Sequence, residues 1–356
     1  MLLTVEPSAE VTTMSKVVIA SAGSYDRLIV QSGPALEPEA GQVLIQVSAA
    51  GVNYADVIVR MGLYASAKEL VGWPITPGFE VAGVVTAVGE GVDDISVGAR
   101  VCAVTLFNGY ASQVVAPRRQ VFAIPDDMTF VQAAAIPAVF LTAWYALKEL
   151  ANPRVGSTIL VHSAAGGVGT SLVQLGKVLG CTVVGVVGRT HKIQTAKDVG
   201  CDHVIDKSTE NLWARAEQIC PDGYDIILDA NGVATLKDSY KHLRRTGRLV
   251  VYGFATMMPK SGGRPNYLKL ITGVLRTPRF NPLDMVNASK SVLAFNLSYL
   301  FDRSDILSDA MTDIMAWMHE GRISPPPATT YAMADVAQAH KDIESGTTVG
   351  KLVLLP

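Results

Sequence analysis

The run Ser163-Ala164-Ala165-Gly166-Gly167-Val168-Gly169 follows the apolar stretch Thr158-Ile159-Leu160-Val161-His162 without a break. An apolar strand that turns on glycines into a helix gathers free backbone N–H groups and the positive end of the helix dipole at one point. That arrangement suits a pyrophosphate. The spacing is G-x-G-x-x-G with Ala164 in the first glycine place. Gly166 lets the backbone approach the phosphates, and Gly169 lets helix and strand pack closely. Ala165, Gly166, Gly167, Val168 and Gly169 are therefore candidate cofactor contacts. The following strand ends at Val186-Val187-Gly188-Arg189, where an NAD site normally carries an acid for the ribose 2′-hydroxyl. This sequence offers Arg189 and Lys192 instead. A guanidinium can bracket a 2′-phosphate bidentately and an ammonium adds point charge, so Gly188, Arg189 and Lys192 point to NADPH. His162, on the strand before the turn, reads as a core histidine.

These residues need an alternating α/β frame, and the pattern supplies one. Strands Thr158–His162, Thr182–Val187, His203–Ile205, Tyr224–Asp229 and Arg248–Tyr252 alternate with helices 168–179, 192–199 and 211–218. Such alternation predicts a parallel sheet wrapped by helices on both faces. Asn231 and Tyr252 follow the last two strands, at the carboxyl ends where open α/β sheets bind ligands. Before this region, from Lys16 to about Ile136, short β-rich runs (43–47, 82–88, 100–104) separated by turns predict a rolled sheet or partly closed barrel. Phe130–Leu150 reads as helix broken at Pro137. Residues 257–283 carry Lys260, Arg264, Lys269, Arg276 and Arg279 and no acid, and read as loop and short helix. A helix at 335–343 and a strand at 351–355 close the pattern, the strand rejoining the N-terminal β-domain.

Composition bounds the function classes. The 356 residues exceed one ordinary core and suggest two domains. A net charge of −2 argues against a nucleic-acid binder. The apolar stretch 158–188 is interrupted by His162, Gln174 and Lys177, and two buried strands around a helix explain it better than a membrane span. Cys102, Cys181, Cys201 and Cys220 form no CxxC pair, which supports neither a disulfide framework nor a zinc cluster and suits a reduced cytoplasmic protein. The N-terminus lacks a basic n-region, no signal peptide is read, and Met14 is a candidate start.

Several segments resemble the medium-chain dehydrogenase/reductase superfamily, in its zinc-independent quinone oxidoreductase branch. They are Gly51-Val52-Asn53-Tyr54-Ala55-Asp56, Met61-Gly62-Leu63-Tyr64, Pro77-Gly78-Phe79-Glu80-Val81-Ala82-Gly83 and the stretch from Pro137 to Leu141-Thr142-Ala143-Trp144. The basic insert and Arg279-Phe280-Asn281-Pro282-Leu283 are most similar to the synaptic-vesicle membrane protein homologues within it. The resemblance implies an α/β fold: a GroES-like β-rich catalytic domain plus a Rossmann domain with a doubly wound parallel sheet. The division expected is 1–15 as an extension, 16–137 GroES-like, 138–290 Rossmann, and 291–356 returning to the catalytic domain. The resemblance also implies a homodimer, with Phe295 and Asn296 lining the nicotinamide. Zinc enzymes of the superfamily carry Cys and His where this chain has Asn53 and Phe79, neither a conventional zinc ligand, so no metal is expected.

Without a Lewis acid, conjugate reduction of a small electrophile is the chemistry that fits: a quinone, an enone or enal, or an enoyl thioester. Hydride adds to carbon and the charge gathering on oxygen takes hydrogen-bond donors. By resemblance, Tyr64 is the donor and proton source, with Asn53 and Asp56 holding the pocket and the nicotinamide ribose. Two alternatives stay open: a stand-alone enoyl-thioester reductase of polyketide or fatty-acid assembly, and a non-catalytic NADPH-binding, membrane-associated protein. Membrane association is not the favoured expectation. The basic insert reads as a lid over the cleft, a site for a phosphate-bearing carrier, or a membrane-surface patch.

Overall fold

The computed structural model describes residues 13–356, so most of the expected extension 1–15 lies outside the described residues. Its last three, from Thr13 to Ser15, open β1 (Thr13–Val18), which pairs antiparallel with β2 (Ile29–Pro34). Next come β3 (Gln42–Val52), α1 (Tyr54–Arg60), α2 (Ala65–Leu70), β4 (Glu80–Val88), β5 (Arg100–Val104), β6 (Gln113–Pro117) and β7 (Val121–Ala123). A capping box at Thr129 and Gln132 starts α3 (Phe130–Ala134). Pro137 then starts α4 (Pro137–Trp144), which runs on as π-helical turns over Tyr145–Ala151. The expected break at Pro137 is there because proline suits the first turn of a helix and not its interior.

The second half alternates: β8 (Thr158–His162), α5 (Gly167–Val178), β9 (Thr182–Val187), α6 (Ile193–Asp198), β10 (His203–Asp206), α7 (Leu212–Ile219), β11 (Tyr224–Asp229), α8 (Leu236–Lys241) and β12 (Leu243–Val251). In the basic insert, α9 (Tyr267–Arg276) and α10 (Pro282–Ala288) are capped by the side chains of Asn266 and Asn281. Then follow β13 (Ser291–Ala294), α11 (Ser304–His319), β14 (Ala328–Ala332), α12 (Val336–Ser345) and β15 (Lys351–Leu355).

Two larger sheets result. One has the order β10-β9-β8-β11-β12-β13 and is parallel throughout. Its strands β8 and β9 are apolar on both faces because helices cover both, the mark of a Rossmann-type sheet. The sheet includes Ser291–Ala294, which pairs with Arg248–Val251. It thus extends past residue 290, where the sequence reading turns back. The other has the order β14-β15-β3-β4-β5-β7, with β6 pairing β3, and is the β-rich GroES-like body. Here β15 returns antiparallel to β3, as the closing strand was expected to do. One apolar cluster, built on α3, α4 and α5, runs from Ala49 and Ala82 of the β-body to Val161 and Val250 of the parallel sheet.

The insert leaves the parallel sheet and reaches the β-body. Met257, Met258 and Leu270 pack with Val57 of α1 and with Met61 just past its end. The fully buried Arg60 donates to the carbonyl of Gly263 at 3.2 Å and pairs with Glu344.

Candidate functional site

At the end of β8 the chain turns on Ser163, the residue that carries the left-handed backbone (φ 57°), so Ala164 stands in the first glycine place without strain. Gly166 occupies the N-cap of α5 with no side-chain cap, leaving the first N–H groups of the helix open to a ligand. A Cβ on Gly169 would stand 2.1 Å from the Ser163 carbonyl oxygen, whereas one on Gly166 meets only that atom, at 3.4 Å. Gly169 thus sets the packing and Gly166 the open face. The turn is also held from the far end of the chain, because the N–H of Gly350 donates to the Ala165 carbonyl at 2.9 Å.

Asn231 follows β11 beside this turn, with Ser163 Oγ 3.4 Å from its Oδ1. The side chain is buried, and its Nδ2 has no hydrogen-bond partner among the described residues. Asp229 shapes the loop, accepting from the N–H groups of Asn231 (2.8 Å) and Gly232 (3.0 Å) and from Thr235 and Ser239. His162 lies beneath, its Nε2 3.1 Å from Ser239 Oγ, and burial pushes its pKa down to about 4.

At the other end of the cofactor track, Gly188 and Arg189 are exposed after β9. Arg189 makes no ion pair or side-chain hydrogen bond among the described residues. Lys192 is differently placed. Its Nζ donates to the carbonyls of Gly346 (2.8 Å) and Thr348 (2.6 Å), and burial, with Arg189 beside it, pushes its pKa down to about 8. Lys207 was missed by the sequence reading. Its Cε lies 3.4 Å from where a Gly188 Cβ would stand, and burial, then Lys260, lowers its pKa.

Tyr252, just past β12, and Phe295, just past β13, are neighbours, with ring centroids 6.4 Å apart; Phe295 also tilts against Tyr145 at 4.9 Å. The next residue, Asn296, accepts a hydrogen bond from the Tyr64 hydroxyl at 2.8 Å, and Ser298 Oγ lies 2.9 Å from the same hydroxyl. Two candidates 232 positions apart are thereby brought together. Tyr64 packs edge-on to Phe79 and Phe107, and burial raises its pKa, so the hydroxyl stays protonated.

Asn53 sits at the start of α1 in a closed polar ring. Lys351 Nζ donates to Asn53 Oδ1 at 2.5 Å and forms an ion pair with Glu80 Oε1 at 2.6 Å, and Asn53 Nδ2 donates to the same Glu80 oxygen at 2.9 Å. The other oxygen of Glu80 accepts the N–H of Ala138, at the start of α4. Neither Glu80 nor Lys351 had been given a role; the one signal was a single charge inside the otherwise apolar run Gly350-Lys351-Leu352-Val353-Leu354. Asp56 lies behind Asn53 and is fully buried. It accepts from Asn53 N (2.8 Å), Gly78 N (2.8 Å) and the Tyr110 hydroxyl (3.0 Å), and burial pushes its pKa up to about 7 against these bonds. Its oxygens are taken up by two backbone N–H groups and the Tyr110 hydroxyl, away from solvent.

Among the described residues no three His, Cys, Asp or Glu side chains gather as metal ligands. Phe79, at one of the zinc enzymes' ligand positions, is packed between rings. An open groove of about 750 Å³, lined in part by Arg118, Phe122 and Met311, contains none of the candidate residues.

Residues 39–126 match the family of alcohol dehydrogenase GroES-like domains, and residues 199–354 match the zinc-binding dehydrogenase family. The chain is 34% identical to the human synaptic vesicle membrane protein VAT-1 homolog, over 95% of this chain and 86% of that protein. It is 30% identical to a 2-haloacrylate reductase of a Burkholderia species, over 95% and 98% of the two chains. Its fold matches the crystal structure of Escherichia coli quinone oxidoreductase complexed with NADPH with a TM-score of 0.82. That match has 26% identity and covers 96% of this chain and all of that one.

Proposed function

This chain belongs to the medium-chain dehydrogenase/reductase superfamily, in its zinc-independent quinone oxidoreductase branch, and from that premise we propose that it is an NADPH-dependent reductase of quinones or activated C=C bonds. The residues present fit the cofactor. Among the described residues, a buried Asn231 Nδ2 without a partner, the uncapped start of α5 and an unpaired Arg189 are donors and charge that a dinucleotide phosphate track would satisfy. Ala165 to Gly169 would hold the pyrophosphate, Gly188 and Arg189 the 2′-phosphate, and Tyr252, Phe295 and Asn296 the nicotinamide end. Lys207 joins Arg189 in this role, with Lys192 acting mainly through the loop it anchors. NADPH supplies the hydride.

The chain's own residues do the rest. Hydride adds to the β-carbon of an enone or enal, or to a quinone, and negative charge collects on the carbonyl oxygen, where preorganised donors are worth most. Tyr64 Oη holds the proton that completes the saturated product or hydroquinone. Phe79 and Phe107 keep water from that hydroxyl, and Asp56 is a positioning residue that fixes the backbone of Asn53. The observation that carries the reading is the Tyr64–Asn296 hydrogen bond, which joins the candidate proton donor to the candidate nicotinamide segment.

The test is NADPH oxidation across quinones, enals and enoyl thioesters, with NADH as control. Turnover of a quinone or enal that prefers NADPH is the expected result. NADPH binding with no turnover of any acceptor would overturn the reading.

A further inference from the structure

We propose that Lys351 is a positioning residue for catalysis, polarising the Asn53 carboxamide so that its uncommitted N–H becomes a donor for the oxyanion formed on hydride addition. This rests on the reductase reading above and names a role for a residue that reading leaves unused.

The ring of Lys351, Glu80 and Asn53 is chemically one-way. An ammonium can only donate and a carboxylate can only accept. Asn53 must therefore turn its carbonyl to Lys351 and its NH₂ to Glu80, as the distances of 2.5 Å and 2.9 Å have it. The carboxamide cannot flip without setting like against like on both sides. A carbonyl that accepts from a cation draws electron density from its own nitrogen, and hydrogen bonds in series strengthen one another in a low-dielectric setting. One of the two Nδ2 protons goes to Glu80; the other has no partner among the described residues. Lys351 and Glu80 are almost fully buried, while Asn53 is only half-buried, so the charge pair is hidden and its effect is delivered through the amide.

The placement serves the cofactor as well. Gly350 bonds the glycine turn at Ala165, and the Lys351 stem lies 3.7 Å from where a Gly167 Cβ would stand. A single dipeptide thus fixes Asn53 relative to the phosphate-binding turn. Glu80, locked by the Ala138 N–H, keeps the ammonium from swinging toward that turn. Buried ion pairs often add little net stability, so a structural staple alone is a weak explanation for one placed here.

The experiment compares Lys351→Met with the charge-neutral double variant Glu80→Gln/Lys351→Met, which avoids an unpaired buried carboxylate and keeps an acceptor for the Asn53 amide. Cofactor affinity, kcat for a simple enone and kcat for a quinone are measured, each with and without Asn53→Ala. The double variant is expected to bind NADPH as before and to lose about 100-fold in kcat on the enone, the scale of one oxyanion donor. The loss on the quinone should be smaller, because the hydroquinone anion is a weaker base and needs less help. Adding Asn53→Ala should then cost less than it does in the wild-type background. Equal losses on both acceptors, or a full Asn53→Ala penalty in the neutral background, would overturn the proposal. If the wild-type protein reduces no acceptor, the reductase reading fails separately. The ¹⁵N-resolved side-chain amide signal of Asn53 then decides: a proton shift that moves on removing Lys351 supports the polarised ring, and an unmoved one sinks it.

Discussion

The cofactor side and the catalytic side of this molecule are finished to different degrees. Around the glycine turn, polar groups are left waiting: the Asn231 Nδ2, the first N–H groups of α5 and the Arg189 guanidinium. Around Asn53 and Tyr64, most polar groups are already engaged: Glu80 and Lys351 hold the Asn53 carboxamide, Asp56 holds its backbone N–H, and Asn296 and Ser298 hold the Tyr64 hydroxyl. Buried polar groups without partners are costly, so a protein keeps them where a ligand will complete them. The contrast separates a surface that binds by being completed from one that acts by being fixed in advance.

Substitutions can break that contrast at either end. Gly169→Val should have the largest effect, because its Cβ overlaps the Ser163 carbonyl. NADPH binding should disappear in a fluorescence titration, and overpacking should cost about 1–3 kcal/mol or more in urea unfolding. Gly166→Ala, with only a 3.4 Å contact, should weaken binding and spare the fold.

Next comes the pH dependence of Asp56. Burial holds its folded pKa at about 7, above its ordinary 3.8, so the folded state keeps a proton that the unfolded state has lost. Its contribution to stability is therefore complete below pH 4 and is lost as pH rises to 7, by at most about 4 kcal/mol. Urea midpoints between pH 4.5 and 7.5 should show that fall, and Asp56→Asn, though less stable, should flatten it.

Tyr64→Phe should lower kcat about 100-fold with little change in melting temperature, since its aromatic contacts survive. Because burial raises the phenol pKa, any alkaline loss of rate from this group should fall above the ordinary tyrosine range. Arg189→Ala should weaken NADPH about tenfold and leave NADH alone, as expected for a charge-assisted bond of roughly 1.5–3 kcal/mol. Lys192→Gln should have the smallest effect, about threefold on NADPH, the scale of a modest hydrogen bond lost at the loop Gly346–Thr348. A loss as large as that of Arg189→Ala would return Lys192 to the phosphate.

Much of the frame was legible because it is local. Thr158–His162, Thr182–Val187, Tyr224–Asp229 and Lys351–Leu355 fold as strands with the bounds that their apolar runs suggest. β12 starts earlier than read, since Arg244-Arg245-Thr246 is exposed and carries no strand signal. Residues 267–276 form a full helix that glycine and β-branched residues disguised, although Asn266 was there as its cap. The site was legible residue by residue but not as an arrangement. Nothing in sequence spacing links Tyr64 to Asn296 or Asn53 to Lys351, because the first contact exists only once the two sheets have closed on each other and the second only once β15 has paired with β3. For the same reason Asp56 looked like a pocket residue when its carboxylate is taken up by two backbone N–H groups and Tyr110, and Lys192 looked like a free charge when it is tied to two carbonyls.

The join between Gly350 and the glycine turn bears on how the molecule is made. Lys351 meets Asn53 across 298 positions of chain. Contacts so distant in sequence are the slowest to form, because a long loop must be closed before they give anything back. On the ribosome, nearly every strand of both sheets can be translated while the dipeptide that ties Asn53 to the phosphate turn is still unmade. If Lys351 acts as proposed, assembly of the two halves and readiness for catalysis become one late event, completed when residue 351 has emerged and β15 has found β3.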